Sequence, residues 1–190
     1  MDDFEIEIQS EKVSKKSNLH LPAHFVTIGK NDSDDVGIYI EQRVYEALEV
    51  YALSDSSTEL GTVLLGDYFQ EFGKVYVFIS DYIEAKYTTA TAFSLTFTHE
   101  TWEYVHREHD SKYRDKKIVG WQHTHPGYGI FLSSYDIFIQ KYFFDMPFQV
   151  AYVIDPVQNM RGFFQWKYGE IVRLNGYCIY DGMEGNIKIE

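Results

Sequence analysis

Two histidines separated by a single residue, His123 and His125, constrain the fold of this 190-residue chain more than any other feature. In a helix, residues two positions apart point to opposite sides, whereas in a strand they point to the same side. A strand is therefore the element that lets both imidazoles face one metal ion. Pro126 follows at once and cannot donate to a sheet ladder, so we expect the strand to end there.

A loop and the start of a helix follow this strand. Gly127 and Gly129 allow the chain to turn back sharply, and Ser133 is a favourable N-cap for the helix predicted next. Asp136 then lies in the first helical turn, where its carboxylate can face the two histidines. The spacing of Ser133 and Asp136 is also that of a capping box, which by itself would explain both residues. The two interpretations are compatible because a carboxylate has two oxygens.

Two imidazoles and one carboxylate leave one position of a tetrahedral metal open, which is typical of catalytic rather than structural zinc sites. Hydrolysis at such a site needs a base, and the segment from Gly120 to Asp136 contains no glutamate. The base would therefore come from elsewhere in the chain. Glu59 opens an apolar strand, while Glu71 and Glu84 lie where the pattern predicts a turn or a strand end.

Hydrophobic periodicity predicts helices alternating with strands, and hence an α/β (α+β) fold. Helices are expected at 41–53, 98–110 and 134–144. Strands are expected at 38–40, 59–66, 74–83, 93–97, 118–122, 149–154, 161–166 and 171–174. Residues 1–35 are interpreted as an N-terminal extension with a candidate edge strand at 21–28, residues 36–176 as the catalytic domain, and residues 177–190 as a C-terminal tail.

Composition limits the partners and the compartment. The formal net charge of −12 argues against nucleic acid, because phosphate binding needs a basic face. Cys178 is the only cysteine, so an internal disulfide is excluded. No apolar run approaches the ~18 residues of a membrane span, and the start of the sequence does not resemble a signal peptide. We therefore expect a cytoplasmic protein without a membrane partner, and the oligomeric state stays open.

The run His123-Thr-His125-Pro126, followed by Leu132-Ser133-Ser-Tyr-Asp136, resembles the JAMM motif of the MPN+ (JAB) zinc metalloproteases. The resemblance spans about residues 37–174 and implies the MPN/JAB fold, a curved and mostly antiparallel sheet flanked by helices. It implies one Zn²⁺ held by His123, His125 and Asp136. It also implies that Glu59 moves a proton from water to the leaving amine and that Ser133 donates a hydrogen bond to the oxyanion.

The same resemblance implies a substrate class. The family cleaves peptide or isopeptide bonds after the C-terminal glycine of ubiquitin or a ubiquitin-like protein, so such a modifier or its conjugates would be the partner. Residues 82–97 and the loop 127–131 would flank its extended tail. Two alternatives stay open, namely trimming of a sulfur-carrier protein and a non-catalytic MPN scaffold. The short chain resembles stand-alone prokaryotic deubiquitinase-like members, some of which act in modifier pathways that include antiviral defence.

Overall fold

The fold is built around one nine-stranded sheet, in a computed structural model that describes residue 19 and residues 21–182. The order across the sheet is β1-β11-β2-β4-β3-β7-β8-β9-β10, and β5 and β6 form a separate hairpin. The strands are β1 (Phe25–Gly29), β2 (Gly37–Glu41), β3 (Gly61–Glu71), β4 (Lys74–Glu84), β5 (Thr89–Thr91), β6 (Ser94–Thr96), β7 (Lys117–Thr124), β8 (Val150–Asp155), β9 (Met160–Lys167), β10 (Glu170–Arg173) and β11 (Gly176–Tyr180). The helices of the described residues are α1 (Gln42–Ala52), α2 (His99–Lys112) and α3 (Ser134–Phe143).

Strand directions confirm the predicted fold class. The pairs β11–β2, β2–β4 and β7–β8 are parallel, and the other neighbours in the sheet run antiparallel. The sheet is therefore mostly antiparallel, with helices packed on it, as the sequence predicts. Within the part of the chain that the structure describes, no helix is long and apolar enough to cross a membrane.

The sheet is buried on both faces at its centre. All of β8 is buried, and its side chains alternate between two apolar clusters. Tyr152 and Ile154 pack into the cluster that includes Leu48 of α1. Ala151 and Val153 pack into the cluster on the other face, which α2 and α3 cover. Because burying a large apolar side chain stabilises the fold by about 1.5–3 kcal/mol, this double burial makes β7 and β8 a rigid base for the site.

Local hydrogen bonds set the starts of α2 and α3. The Oγ1 atom of Thr98 accepts a hydrogen bond from the backbone N–H of Thr101 at 3.1 Å. Ser133 plays the same part for α3, where its Oγ accepts from the N–H of Asp136 at 3.3 Å. Both are capping boxes, and both helix starts agree with the sequence-based prediction. Such caps typically contribute about 1 kcal/mol each.

Two strands of the main sheet lie largely outside the range 36–176. The strand β1 falls in the predicted N-terminal extension and pairs with β11, with Val26 opposite Ile179. The strand β11 begins at the end of the predicted domain and continues into the predicted tail, where Cys178 pairs with Tyr39 of β2. Both predicted flanking segments therefore contribute to the sheet. Residues 1–18, 20 and 183–190 of these two flanking segments lie outside the described residues.

Candidate metal centre

The end of β7 delivers both histidines to the face of the sheet that α3 covers: His123 lies in the strand, and His125 follows its last residue with its N–H donating to the carbonyl of Ile154 at 2.9 Å. The Nε2 atom of His123 lies 3.0 Å from the Nε2 atom of His125. Both side chains are buried, with 0% and 2% exposure. One extended segment thus places two ligand nitrogens side by side, which follows from the two-residue repeat of an extended chain.

The first turn of α3 brings a carboxylate to the same point. The Oδ1 atom of Asp136 lies 3.4 Å from Nε2 of His123, and its Oδ2 atom lies 3.4 Å from Nε2 of His125. Oδ2 also accepts a hydrogen bond from the N–H of Ser133 at 2.6 Å. Oδ1 has no hydrogen-bond partner among the described residues, although it is fully buried. The helix cap therefore leaves one carboxylate oxygen free for a ligand role.

This donor set fits a zinc ion. The Nδ1 atom of His125 lies 3.2 Å from the carbonyl oxygen of Gly129, so Nδ1 carries the proton and Nε2 presents a lone pair. With zinc–ligand bonds of about 2.0–2.1 Å, two ligands of a tetrahedral site would lie about 3.3 Å apart. The two ring nitrogens lie 3.0 Å apart and each lies 3.4 Å from an Asp136 oxygen, so the separations bracket that value. His123, His125 and Asp136 also form a cluster whose ligand atoms all lie within 4.8 Å of one another.

Burial and the neighbouring carboxylates together set the charges of this cluster. Burial lowers the pKa of His123, which keeps the ring in the neutral form that binds metals. For His125 burial alone would lower the pKa, but the hydrogen bond and charge of Asp136 and the charge of Glu59 outweigh burial and raise the pKa. For Asp136 burial alone would raise the pKa, but the facing His123 ring and the hydrogen bonds around the carboxylate hold it well below its usual range. A neutral imidazole and an ionised carboxylate are the protonation states that a zinc site needs.

Glu59 reaches the cluster through backbone pairing just ahead of β3. Its N–H donates to the carbonyl of Thr91 in the hairpin at 2.8 Å. The next residue, Leu60, donates to Oγ1 of Thr124 at 2.8 Å and accepts from the N–H of Thr124 at 2.9 Å. Because Thr124 lies between the two histidines, this pairing fixes Glu59 beside them. Its Oε1 atom is 3.9 Å from Nε2 of His125.

The environment of Glu59 suits proton transfer. The side chain is 3% exposed, and Oε2 has no hydrogen-bond partner among the described residues. Burial raises the pKa of Glu59 to about 7, and the negative charge of Asp136 adds to this while His125 opposes it. A bound cation would lower that pKa again. The rival glutamates lie elsewhere, since Glu71 is at the opposite end of β3 and Glu84 is exposed at the end of β4.

An aromatic and amide network beneath the histidines was not predicted from the sequence. The ring of Trp121 stacks on His123, with centroids 4.3 Å apart and an interplanar angle of 11°. Its Nε1–H donates to Oε1 of Gln140 at 2.8 Å, and Gln140 in turn donates to the carbonyls of Phe144 and Gln149. The network ties β7 to α3. The sequence feature that could have indicated this network is the position of Gln140 one helical turn after Asp136, on the buried side of α3.

The family match agrees with this geometry. The sequence profile of the family described as "JAB1/Mov34/MPN/PAD-1 ubiquitin protease" matches residues 37–147, more than half of the chain. The chain belongs to this family. The matched segment extends from β2 to just beyond α3 and contains Glu59, Ser133 and the His–His–Asp cluster. The resemblance to the JAMM/MPN family is thereby confirmed.

Similarity to individual JAB-family proteins is concentrated in a short segment. The "Ubiquitin carboxyl-terminal hydrolase RPN11" of Saccharomyces cerevisiae is 48% identical over 50 residues, which cover 26% of this chain and 16% of that protein. The "COP9 signalosome complex subunit 5" of Caenorhabditis elegans is 47% identical over 54 residues, which cover 27% and 14% of the two chains. This chain therefore matches less than a fifth of the length of either relative.

A solved structure extends the likeness to most of the fold. The solution structure of protein DSY2949 from Desulfitobacterium hafniense aligns with a TM-score of 0.57 and covers 80% of this chain and 99% of that chain. The sequence identity is only 15%, so this match shows a shared fold and nothing about chemistry.

Proposed function

We propose that this JAB-family chain is a zinc-dependent peptidase or isopeptidase that cleaves after the C-terminal glycine of ubiquitin or a ubiquitin-like modifier. One observation carries the proposal. A complete His–His–Asp donor set lies beside Glu59, a buried glutamate whose pKa burial raises to about 7. The name of the yeast relative, a ubiquitin hydrolase, supports the modifier as substrate.

The metal ligands in this proposal are His123, His125 and Asp136. A zinc ion bound there would supply Lewis acidity toward the scissile carbonyl. Asp136 combines two tasks, since Oδ2 holds the cap of α3 while Oδ1 is free to bind. Trp121 fixes the plane of His123 from below by stacking.

Glu59 moves the proton. Its carboxylate accepts a proton from the attacking water while the water oxygen bonds to the carbonyl carbon. The same carboxyl then gives that proton to the departing amine nitrogen as the C–N bond breaks, so the glutamate returns to its starting state. The orphaned Oε2 of Glu59 is the atom that suits this task, because it has no competing hydrogen bond among the described residues.

Ser133 stabilises the oxyanion in this mechanism. Its Oγ accepts a hydrogen bond from the N–H of Asp136, which uses an oxygen lone pair and leaves the hydroxyl hydrogen free to donate. Placed at the N-cap of α3, the hydroxyl can donate toward negative charge that develops on the carbonyl oxygen. The capping role and the proposed catalytic role therefore coexist.

The substrate tail would run beside the β5–β6 hairpin. Within the described residues β6 pairs only with β5, so its outer edge can accept an extended strand. A cavity of about 600 Å³ lies between this edge and α3. The rings of Phe93 and Tyr128 meet across the two flanking segments, with centroids 4.8 Å apart. A tail that ends in glycine, which has no side chain, is the kind of segment that fits beneath this aromatic pair.

The two alternatives differ from the proposal either in the substrate or in the absence of catalytic activity. Trimming of a sulfur-carrier protein would use the same residues, so only the substrate separates it from the proposal. A scaffold without activity is disfavoured because Glu59, Ser133 and all three ligands are present. A stand-alone prokaryotic role in a modifier pathway, including antiviral defence, stays a prediction from the family resemblance.

The proposal is tested with a panel of substrates. The zinc-loaded protein is incubated with linear fusions and isopeptide conjugates of ubiquitin and ubiquitin-like proteins, including a sulfur carrier, and the products are mapped by mass spectrometry. We expect cleavage directly after the modifier's terminal glycine, and no cleavage by the zinc-free protein or by His125→Ala. Cleavage at unrelated bonds, or equal cleavage by His125→Ala, would contradict the proposal.

A further inference from the structure

A second buried carboxylate, Asp155, lies at the end of β8 and is fully buried. Its hydrogen bonds from the residues that the structure describes all come from main-chain N–H groups. Oδ1 accepts from Gly127 at 2.9 Å and from Val157 and Gln158 at 3.0 Å each. Oδ2 accepts from Gly129 at 2.6 Å. Burial alone would raise the pKa of Asp155, but these donors hold it below its usual range, so the group is ionised at neutral pH.

This carboxylate organises the loop that follows the two histidines. Gly127 and Gly129 have φ angles of 88° and 82°, in the left-handed region that favours glycine. In this conformation both N–H groups turn toward Asp155. The carbonyl of Gly129 then faces the other way and lies 3.2 Å from Nδ1 of His125. Gly129 is therefore held by Asp155 through its N–H and holds His125 through its carbonyl.

We propose that Asp155 is a positioning residue for the zinc site, because it fixes Gly129 and thereby the ring orientation and tautomer of His125. This inference rests on the proposed zinc site but adds a residue outside the ligand set. A partner that holds the second ring nitrogen of a histidine ligand typically changes metal affinity about 10–100-fold when it is lost. Asp155 acts one step further out, on the loop that supplies that partner.

The substitution Asp155→Asn probes this link selectively. Asparagine keeps one oxygen acceptor and replaces the other oxygen with an NH₂ donor. With its oxygen in the place of Oδ1, it retains the three bonds from Gly127, Val157 and Gln158. Its NH₂ group then faces the N–H of Gly129, donor against donor. The turn after β8 is preserved, and only Gly129 is released.

The matched control is Asp35→Asn. Asp35 is also a buried carboxylate, and its Oδ1 accepts from Gln165 at 2.6 Å and from Lys167 at 2.8 Å. These partners lie at the end of β9, whereas Asp155 pairs with Met160 at its start. The control therefore loses a buried charge of the same kind far from the zinc site.

Zinc affinity of the full chain is measured by competition with a chromophoric chelator. We expect Asp155→Asn to bind zinc about 10–100-fold more weakly than the wild type, and Asp35→Asn to bind as the wild type does. The ¹⁵N shifts of the His125 ring in the metal-free protein give a second readout. They should show the Nδ1–H tautomer in the wild type and in Asp35→Asn, and a tautomer mixture in Asp155→Asn.

Two results would overturn the inference while leaving the proposed zinc site intact. One is a zinc affinity of Asp155→Asn equal to that of the wild type. The other is an equal loss of zinc affinity in Asp155→Asn and in Asp35→Asn. A wild-type protein that binds no zinc would instead overturn both proposals. If Asp155→Asn does not fold, Gly129→Ala takes its place, because an added Cβ there meets no atom within 4 Å and disturbs only the left-handed backbone. Unchanged zinc affinity in that variant would equally count against the inference.

Discussion

Gln140 offers a quantitative test of how the metal centre is supported. It is 1% exposed, and its Oε1 accepts the indole N–H of Trp121 at 2.8 Å. Gln140→Leu replaces the amide with an apolar group of similar size. Phe144 loses the bond from Gln140 but its carbonyl keeps the bond from Trp166 at 3.0 Å. The Gln149 carbonyl also loses its bond from Gln140. The buried N–H of Trp121 is left without its acceptor, and this is the loss that the test isolates.

The magnitude follows from that orphaned donor. Leaving a buried polar group unpaired costs about 1–3 kcal/mol. We therefore expect Gln140→Leu to lower the free energy of unfolding of the metal-free protein by about 2 kcal/mol, measured by urea unfolding. Gln42→Leu is the control, because the Gln42 amide is exposed and, among the described residues, bonds only to Glu46 within the same helix. This control should change stability by less than about 0.5 kcal/mol.

A double-mutant cycle isolates the cause. In a Trp121→Phe background there is no indole N–H to orphan, so Gln140→Leu should cost about 1–3 kcal/mol less than it does in the wild type. An equal cost in both backgrounds would refute the reasoning, since the effect would then come from packing rather than from the Trp121–Gln140 hydrogen bond.

Three further predictions concern zinc, the oxyanion and the backbone. Free zinc at about 100 times its dissociation constant should raise the unfolding free energy by about 2.7 kcal/mol in the wild type and have no such effect in His125→Ala, as measured by urea unfolding with and without chelator. Ser133→Ala should lower kcat more than it raises KM, and Ser133→Thr should restore kcat; a rise in KM alone would mean that Ser133 is only a cap. Gly66→Ala should lose more than about 3 kcal/mol of stability or fail to fold, because its Cβ would lie 1.8 Å from the carbonyl oxygen of Phe78. Gly73→Ala meets no atom there and should lose only about 1–2 kcal/mol from its left-handed backbone.

Local rules account for the parts of the site that the sequence predicted. The shared direction of His123 and His125 follows from the two-residue repeat of a strand, and the placement of Asp136 follows from the cap at Ser133. Both depend on residues within a few positions of one another. The metal cluster could therefore be proposed before any tertiary contact was known.

The parts that were missed depend on contacts between distant segments. The place of β11 between β1 and β2 requires an early and a late segment of the chain to meet at one edge of the sheet, which no periodicity in a five-residue strand encodes. The role of Asp155 is not readable from its neighbours in the sequence, because its loop partners lie 26 and 28 residues earlier in the chain. Glu59 was predicted, but only through the family resemblance, because its position beside His125 depends on the pairing of Leu60 with Thr124, 64 residues away.

The most direct test of the account is the turnover of Glu59→Gln, compared with the wild type at equal measured zinc content on a modifier fusion that the wild type cleaves. Glutamine preserves the size of the side chain but cannot take up the proton. The account predicts one zinc per chain in both proteins and a decrease in kcat of about 10²–10⁴-fold in the variant. A zinc-loaded Glu59→Gln protein that turns over within a few-fold of the wild type would contradict the claim that Glu59 moves the proton.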